Sequence, residues 1–371
     1  MTVTPRLRSI DALRGLVIML MALDHTRDYF SPALFDPLDW QSGSAAWFWT
    51  RWVTHLCAPS FVLLAGMSAY LRSRRYSRPD MTRYLLSRGF LLVVLEWTWV
   101  SFSWQFAYHS VILQVIWAIG VAMMALGLLI WLPRSLLIVT ALALILPHNL
   151  LDAMHAKDAG IAMIFWHQGG SIPLANGVSI DVYYPLMPWI GLMATGYAVG
   201  PVMLWPAAQR QRFLLASAVL LMLAFVLLRS GNFYGDPDHW QAQGQGWMID
   251  LMAFVKVHKY PPSLLYLCVT LSISCFLLML FERYLPEPPK ILLLFGSSPM
   301  FFYMVHIALI HALSWVYMQT RFGRQIDFQS GNDAYLGYTP SLAITYVACL
   351  LVLLLMWQLT LRWQLFRKAR S

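Results

Sequence analysis

The sequence predicts an all-α integral membrane protein, a polytopic bundle of about ten transmembrane helices with both termini in the cytoplasm. Two observations carry this reading. Of the 371 residues, 59% are apolar and only 12% charged, against roughly 25% charged in an average soluble domain. So few charges cannot coat a 42.5 kDa body whose mean hydropathy is +0.59, because a water-soluble surface is largely built from them. Secondly, the apolar residues gather in runs of about 20, the length that crosses the hydrocarbon core of a bilayer.

In chain order the apolar windows fall near residues 12–30, 52–71, 85–104, 111–131, 135–148, 184–203, 212–229, 262–282, 297–318 and 341–361. The first follows Arg6 and Arg8 as a secretory signal would, but Asp24, His25, Arg27 and Asp28 come after it and no small-residue cleavage site appears, so it is expected to stay as helix one. Proline marks the start of three later helices, in Tyr184-Pro185-Leu186-Met187-Pro188-Trp189, Lys259-Tyr260-Pro261-Pro262-Ser263 and Gly296-Ser297-Ser298-Pro299. Proline suits the first helical turn, whose N–H has no intrahelical partner. Two connections, about 149–183 and 230–261, are long and rich in Gly, Asp, aromatic and amide residues, the composition of loops that cover a site. The whole chain, 1–371, reads as a single transmembrane domain.

Orientation follows from Lys and Arg. With the connection carrying Arg72, Arg74, Arg75, Arg78 and Arg83 placed in the cytoplasm, ten helices put Arg6, Arg8, Arg14, Arg88, Arg134, Arg210, Arg212, Arg283, Lys290, Arg362, Arg367, Lys368 and Arg370 on the same side. Arg27, Arg51, Lys157, Arg229, Lys256, Lys259, Arg321 and Arg324 fall opposite, spread over longer loops. This is the positive-inside pattern. The net charge of +9 is therefore read as topology and not as a nucleic-acid surface. Cys57, Cys268, Cys275 and Cys349 lie inside apolar runs and read as packing, with no disulfide framework and no metal site expected.

The same topology sorts the histidines. His25, His55, His109, His148, His155, His167, His239 and His258 fall at outer helix ends or in outer loops, while His306 and His311 lie in the middle and outer half of the ninth window. Proton-transfer groups are thus set apart from the arginines, as a polyanionic donor held from inside would require; avoidance of arginine-rich inner loops explains the pattern equally well. Helix one carries Asp11, Arg14, Ile18, Met21, His25 and Asp28 at the 3, 4, 3, 4, 3 spacing of a single helical stripe. Charges so near both ends of its short apolar stretch, Gly15 to Leu23, are costly unless they face a bundle interior, a partner or a water-filled cavity, and point by default to function.

His25 is the candidate general base, since imidazole titrates near neutrality and Asp28 at i+3, or Asp24, is placed to orient the ring. A self-paired cluster of Asp24, His25, Thr26, Arg27 and Asp28 that only ends the helix is the plainer alternative. His55 and His306 are candidates to line the same cavity, with packing into the bundle as the alternative for each. Arg14, Arg83, Arg88 and Arg75 are the candidates for binding donor phosphate, because guanidinium groups grip phosphate in bidentate fashion. Arg83 and Arg88 open the third helix and are expected to face inward, whereas orientation and anionic lipid account for the neighbouring arginines at least as well.

These segments resemble a family. Arg8-Ser9-Ile10-Asp11-Ala12-Leu13-Arg14-Gly15 with His25 after the apolar run resembles the opening of transmembrane acyltransferases. Tyr184-Pro185-Leu186-Met187-Pro188-Trp189-Ile190-Gly191, Lys259-Tyr260-Pro261-Pro262-Ser263-Leu264 and Phe295-Gly296-Ser297-Ser298-Pro299 with Tyr303 and His306 resemble the bacterial relatives of heparan-α-glucosaminide N-acetyltransferase. The resemblance implies a multi-pass enzyme of the cell inner membrane, taking an acetyl group from cytoplasmic acetyl-CoA to a sugar or similar acceptor at the non-cytoplasmic face. Arg14 and His25, eleven residues apart, would stand about 16 Å apart along one helix, the reach of a pantetheine arm. The lysosomal enzyme carries a histidine in its first non-cytoplasmic loop, and the stretch from Tyr29 to Thr54 has none; here His25 matches the histidine that ends helix one in the broader O-acyltransferases. Acyl-histidine or direct transfer, a hydroxyl or an amine acceptor, and a monomer or a homo-oligomer all stay open. A transporter or flippase for a polar or lipid-linked solute is the alternative class, since it would use the same buried charges and broken helices.

Overall fold

The computed structural model describes residues 7–154, 160–324 and 338–369. Arg6, His155, Lys157 and Arg370 of the topology argument lie outside the described residues. The helices run in order α1 Arg8–Phe30, α2 Ala45–Val53, α3 Cys57–Ser73, α4 Arg78–Leu95, α5 Ser101–Gln105, α6 Val115–Leu129, α7 Arg134–Ile145, α8 Met187–Val199, α9 Ala207–Gly231, α10 Trp247–Val255, α11 Leu264–Tyr284, α12 Lys290–Ser297, α13 Pro299–Phe322 and α14 Leu342–Lys368. A helix stands in each of the ten expected windows.

Seven helical stretches among the described residues are long and apolar enough to cross a membrane: Ala45–Ser73, Arg78–Gln105, Met187–Leu204, Ala207–Gly231, Leu264–Tyr284, Pro299–Phe322 and Leu342–Lys368. α6 and α7 are shorter, and α1 is long enough but carries charges near both ends. The protein is a mostly helical membrane protein. It is not wholly α, however. The window expected at 111–131 opens with strand β1 Ser110–Leu113, which pairs in parallel with β3 Ser179–Val182, while β2 Gly170–Pro173 pairs antiparallel with β3 at the sheet edge. Helical periodicity overlooks such short segments, in which Ser-Val-Ile-Leu and Ser-Ile-Asp-Val satisfy their backbone groups by pairing across 69 residues, Ser110 opposite Ser179.

The chain divides into two compact units. Among its described residues the first takes Met1–Cys57, Gln243–Lys256 and Leu280–Ser371, and the second Ala58–Ala242 with Val257–Met279. In the first unit α1 is enclosed by α12, α13 and α14, so that most of its length is buried or half-buried. Glycine permits that closeness: a Cβ on Gly15 would strike the Leu292 backbone, and one on Gly296 the Asp11 carbonyl. α12 and α13 are one helix broken at Ser298, whose φ of −129° and ψ of 45° are not helical, with Pro299 opening the second half. Gln364 of α14 donates from Nε2 to the hydroxyls of Ser297 and Ser298 at 2.8 and 3.0 Å, pinning the break.

In the second unit α4 packs on α6 through Gly89 and Gly120, each backed against the other's carbonyl. α4 leads into a π-helical stretch, Glu96–Val100, where the wholly buried Glu96 accepts the Trp117 N–H at 2.8 Å in the first turn of α6. A carboxylate there answers N–H groups that a helix start leaves without partners. All four cysteines are buried.

Candidate active site

The first unit brings two histidines together that are 281 residues apart in sequence. His25 of α1 and His306 of α13 meet with Nδ1 of the first 2.9 Å from Nε2 of the second, and their ring planes differ by only 23°. The buried His306 has Nδ1 at 2.9 Å from both the Phe302 and the Tyr303 carbonyl oxygens, one turn back on its own helix. Carbonyls only accept hydrogen bonds, so Nδ1 carries the proton and Nε2 of neutral His306 holds the lone pair. His25 must then donate from Nδ1. Its second nitrogen, Nε2, is left as the basic atom of the neutral pair, a tautomer assigned from the bonding pattern. Tyr29 and His311 form the next rung between the same two helices, with ring centroids 4.8 Å apart.

The carboxylates expected to orient His25 are gripped by arginine instead. Asp24 accepts hydrogen bonds from Arg51 Nη1 at 2.7 and 2.9 Å and from Thr54 Oγ1 at 2.9 Å, and forms an ion pair with Arg27, whose Nη1 lies 2.9 Å away. Asp28 takes the other amino group of Arg27. A guanidinium outcompetes a neutral imidazole for a carboxylate because both partners carry full charge. The interfacial cluster thus pairs with itself, as the plainer reading had it, and recruits Arg51 from α2, while the Nδ1–H of His25 donates to His306 on α13. Two arginines and two aspartates balance, which is how largely buried charges are tolerated. His55 is fully buried in the 3-10 turn Thr54–Leu56, beside the Thr54 that bonds Asp24, with its ring 6.4 Å from that of Trp52.

Arg14 sits at the other end of α1. Its Nη1 donates to Asp11 Oδ1 at 3.2 Å and to the Gly296 carbonyl at 3.1 Å, at the break between α12 and α13. Arg75, Arg83 and Arg88 belong to the second unit, and all three are exposed. The inward orientation expected of Arg83 and Arg88 is therefore corrected: α4 buries Met81, Leu85, Gly89 and Leu92, a stripe that leaves Arg83 on the far side and Arg88 at its edge. Arg88 lies over the Tyr84 ring at 6.0 Å.

The second unit holds a cluster that sequence spacing did not single out. His167 Nε2 meets Asp152 Oδ1 at 2.7 Å, Asn149 donates to the other oxygen at 2.7 Å, and the His148 ring lies 5.6 Å from that of His167. Hydrogen bonding to His167 and Asn149 lowers the Asp152 carboxyl below its ordinary value despite burial, which raises it. Nothing in sequence spacing ties residue 152 to residue 167. Among the described residues no three His, Cys, Asp or Glu side chains are grouped to hold a metal.

Residues 6–233 match the model of a protein family described as heparan-alpha-glucosaminide N-acetyltransferase, catalytic. The chain belongs to this family. The match covers α1 with Arg14, Asp24, His25 and Asp28, and it covers His55, Arg75, Arg83 and Arg88, but ends well before α13. His306 is joined to the site by geometry alone. No curated protein matches the chain. For this member of the heparan-α-glucosaminide N-acetyltransferase family, the membrane acetyltransferase character suggested by the match agrees with the long apolar helices and with a pair of imidazoles, His306 buried and His25 half-buried, between α1 and α13.

Proposed function

We propose that the protein moves an acetyl group from cytoplasmic acetyl-CoA to a saccharide or similar acceptor at the non-cytoplasmic face, with His25 as general base. The observation that carries this is the tautomer imposed on the pair. Backbone carbonyls fix His306, His306 fixes His25, and Nε2 of His25 is presented as the proton acceptor. In the reaction, the acceptor oxygen or nitrogen attacks the thioester carbonyl while its proton passes to that Nε2. The C–S bond then breaks, and the proton is returned to the coenzyme A sulfur as thiol. Asp24 and Asp28 act through the charge network that braces the end of α1, and His55 stands beside it.

Arg14 in the first unit, and separately the exposed Arg75, Arg83 and Arg88 in the second, are the guanidinium groups that would serve to bind donor phosphate. Ten crossings with both termini in the cytoplasm would follow the distribution of Lys and Arg, the inner membrane of a bacterium would follow from the family resemblance, and the whole of 1–371 would act as one acyltransferase domain. Purified protein given labelled acetyl-CoA and a panel of sugars tests the reading. Transfer should fall by about 10² to 10⁴ in His25→Ala while coenzyme A binding persists. Full activity of that variant would sink the assignment, and a wild-type protein that binds no coenzyme A would favour the transporter.

A further inference from the structure

A cavity of about 270 Å³ opens in the second unit, above the edge of the small sheet. It is bordered by the Gly169–Gly170 turn, Ser171, Asp181, Tyr183 and Tyr260. We infer that this cleft binds one ring of an uncharged or amine-bearing saccharide. The inference deepens the proposed acyl transfer and rests on it for the class of acceptor, but it concerns residues that the histidine pair does not use.

The side chains fit a ring that has an apolar C–H face and a rim of hydroxyls. Tyr183 and Tyr260 are 45% and 40% exposed, with rings 6.2 Å apart and nearly perpendicular at 75°. They form a corner of two aromatic walls. Exposed aromatic surface inside a concavity gains by being covered, and Lys259 covers a face of Tyr260 with its ammonium at 5.0 Å, so the Tyr183 wall is the platform. Asp181 on β3 stands opposite Ser171 on β2. Its Oδ1 receives Ser171 Oγ at 2.6 Å and Ser179 Oγ at 3.0 Å.

Those two hydroxyls hold the carboxylate still. An ionised carboxylate has about four acceptor positions on two oxygens, and the bonds from Ser171 and Ser179 both go to one of them. The other is in place for ligand hydroxyls, with the strength of a charge-assisted bond. Burial, followed by the neighbouring Asp181, raises the Tyr183 hydroxyl above its ordinary value, so it stays a neutral group able both to donate and to accept. At the turn, Gly169 has φ +70° and Gly170 φ +128°, and a Cβ on Gly169 would stand 2.8 Å from the Val182 carbonyl. The lining carries the Asp181 carboxylate, which disfavours phosphorylated ligands, while the Lys259 ammonium is engaged over the Tyr260 ring. The volume lies just below the roughly 300 to 1,000 Å³ of drug-sized sites, suited to a single ring.

The test is equilibrium binding to the full chain in lipid nanodiscs, read by saturation-transfer NMR with glucose, glucosamine and N-acetylglucosamine as probes and glucose 6-phosphate as the anionic control. At least one uncharged or amine-bearing sugar should receive saturation at its ring C–H protons, and glucose 6-phosphate should bind more weakly. Asp181→Asn and Tyr183→Ala should each weaken that binding about tenfold or more, as expected for losing a charged hydrogen bond or an aromatic wall, whereas Tyr183→Phe should retain most of it. Variants are compared at wild-type melting temperature and coenzyme A affinity. Binding by none of the sugars, or binding unchanged in both variants, overturns the cleft. Sugar binding without acetyl transfer would leave the cleft standing and remove the transferase; transfer with acceptor KM unmoved in both variants would do the reverse.

Discussion

At the scale of single residues, the hydrogen bond between His25 and His306 assigns unequal roles to two like side chains. In the proposed reaction His25 would carry the accepting nitrogen and His306, its own Nδ1 tied to two carbonyls, would be a positioning residue acting through it. His306→Ala should accordingly lower kcat by about tenfold to a hundredfold, less than loss of the base itself, with acceptor KM and coenzyme A affinity held. A parallel loss in KM would show that His306 contacts the acceptor. The proposed base, His25, stood out in the sequence because it lies on a charged stripe of helix one. The ring's hydrogen-bond partner did not stand out, since Asp28 is near in sequence and His306 is 281 residues away, and although Arg27 could be expected to pair within its own cluster, no local rule brings Arg51 to Asp24.

Among the elements, the meeting of α1 with α12 depends on missing side chains. Gly296→Ala would drive a methyl group into the Asp11 carbonyl and should destabilise by about 1 to 3 kcal/mol, the range for overpacking. Gly127→Ala, where the nearest atom would be 3.4 Å from the new carbon, should be close to neutral. Thermal unfolding of the two variants in one detergent compares them directly, and equal melting points would refute the contact. The connection before α11 makes a different prediction. His258 Nδ1 lies 3.2 Å from Asp238 and Nε2 lies 2.9 Å from the Tyr260 carbonyl, and the Asp238 bond leads in raising the imidazole above its ordinary 6.5. A raised folded value means the contribution is complete below the unfolded value and fades as pH climbs through the folded one. Proteolysis of this connection should therefore be slower at pH 6 than at pH 8, and the difference should vanish in Asp238→Asn.

For the whole molecule the proposed orientation makes transfer vectorial, with acetyl crossing while the nucleotide stays behind. Moving the phosphates of coenzyme A through hydrocarbon would carry a severe desolvation penalty. In sealed inside-out vesicles, external acetyl-CoA should acetylate an acceptor trapped in the lumen and spare a membrane-impermeant acceptor outside. Equal labelling of the outer acceptor would make the protein a cytoplasm-facing transferase.

Composition and the spacing of apolar runs by themselves determined that the chain is a mostly helical membrane protein and where its apolar helices lie, because hydrocarbon dictates the length and composition of what crosses it. The segments 184–191, 259–264 and 295–299 with Tyr303 and His306 also carried the resemblance to the family, and 8–15 with His25 the wider likeness to transmembrane acyltransferases. Only the tertiary structure decided which groups meet: the histidine pair across α1 and α13, the arginine hold on Asp24 and Asp28, the outward turn of Arg83 and Arg88, and the strands that build the aromatic cleft. Hydrophobic patterning reports the face each segment turns from water, a property of neighbouring residues. Pairing between residues far apart in the chain depends on how faces dock, and on which of several competing partners bonds most strongly once water is gone.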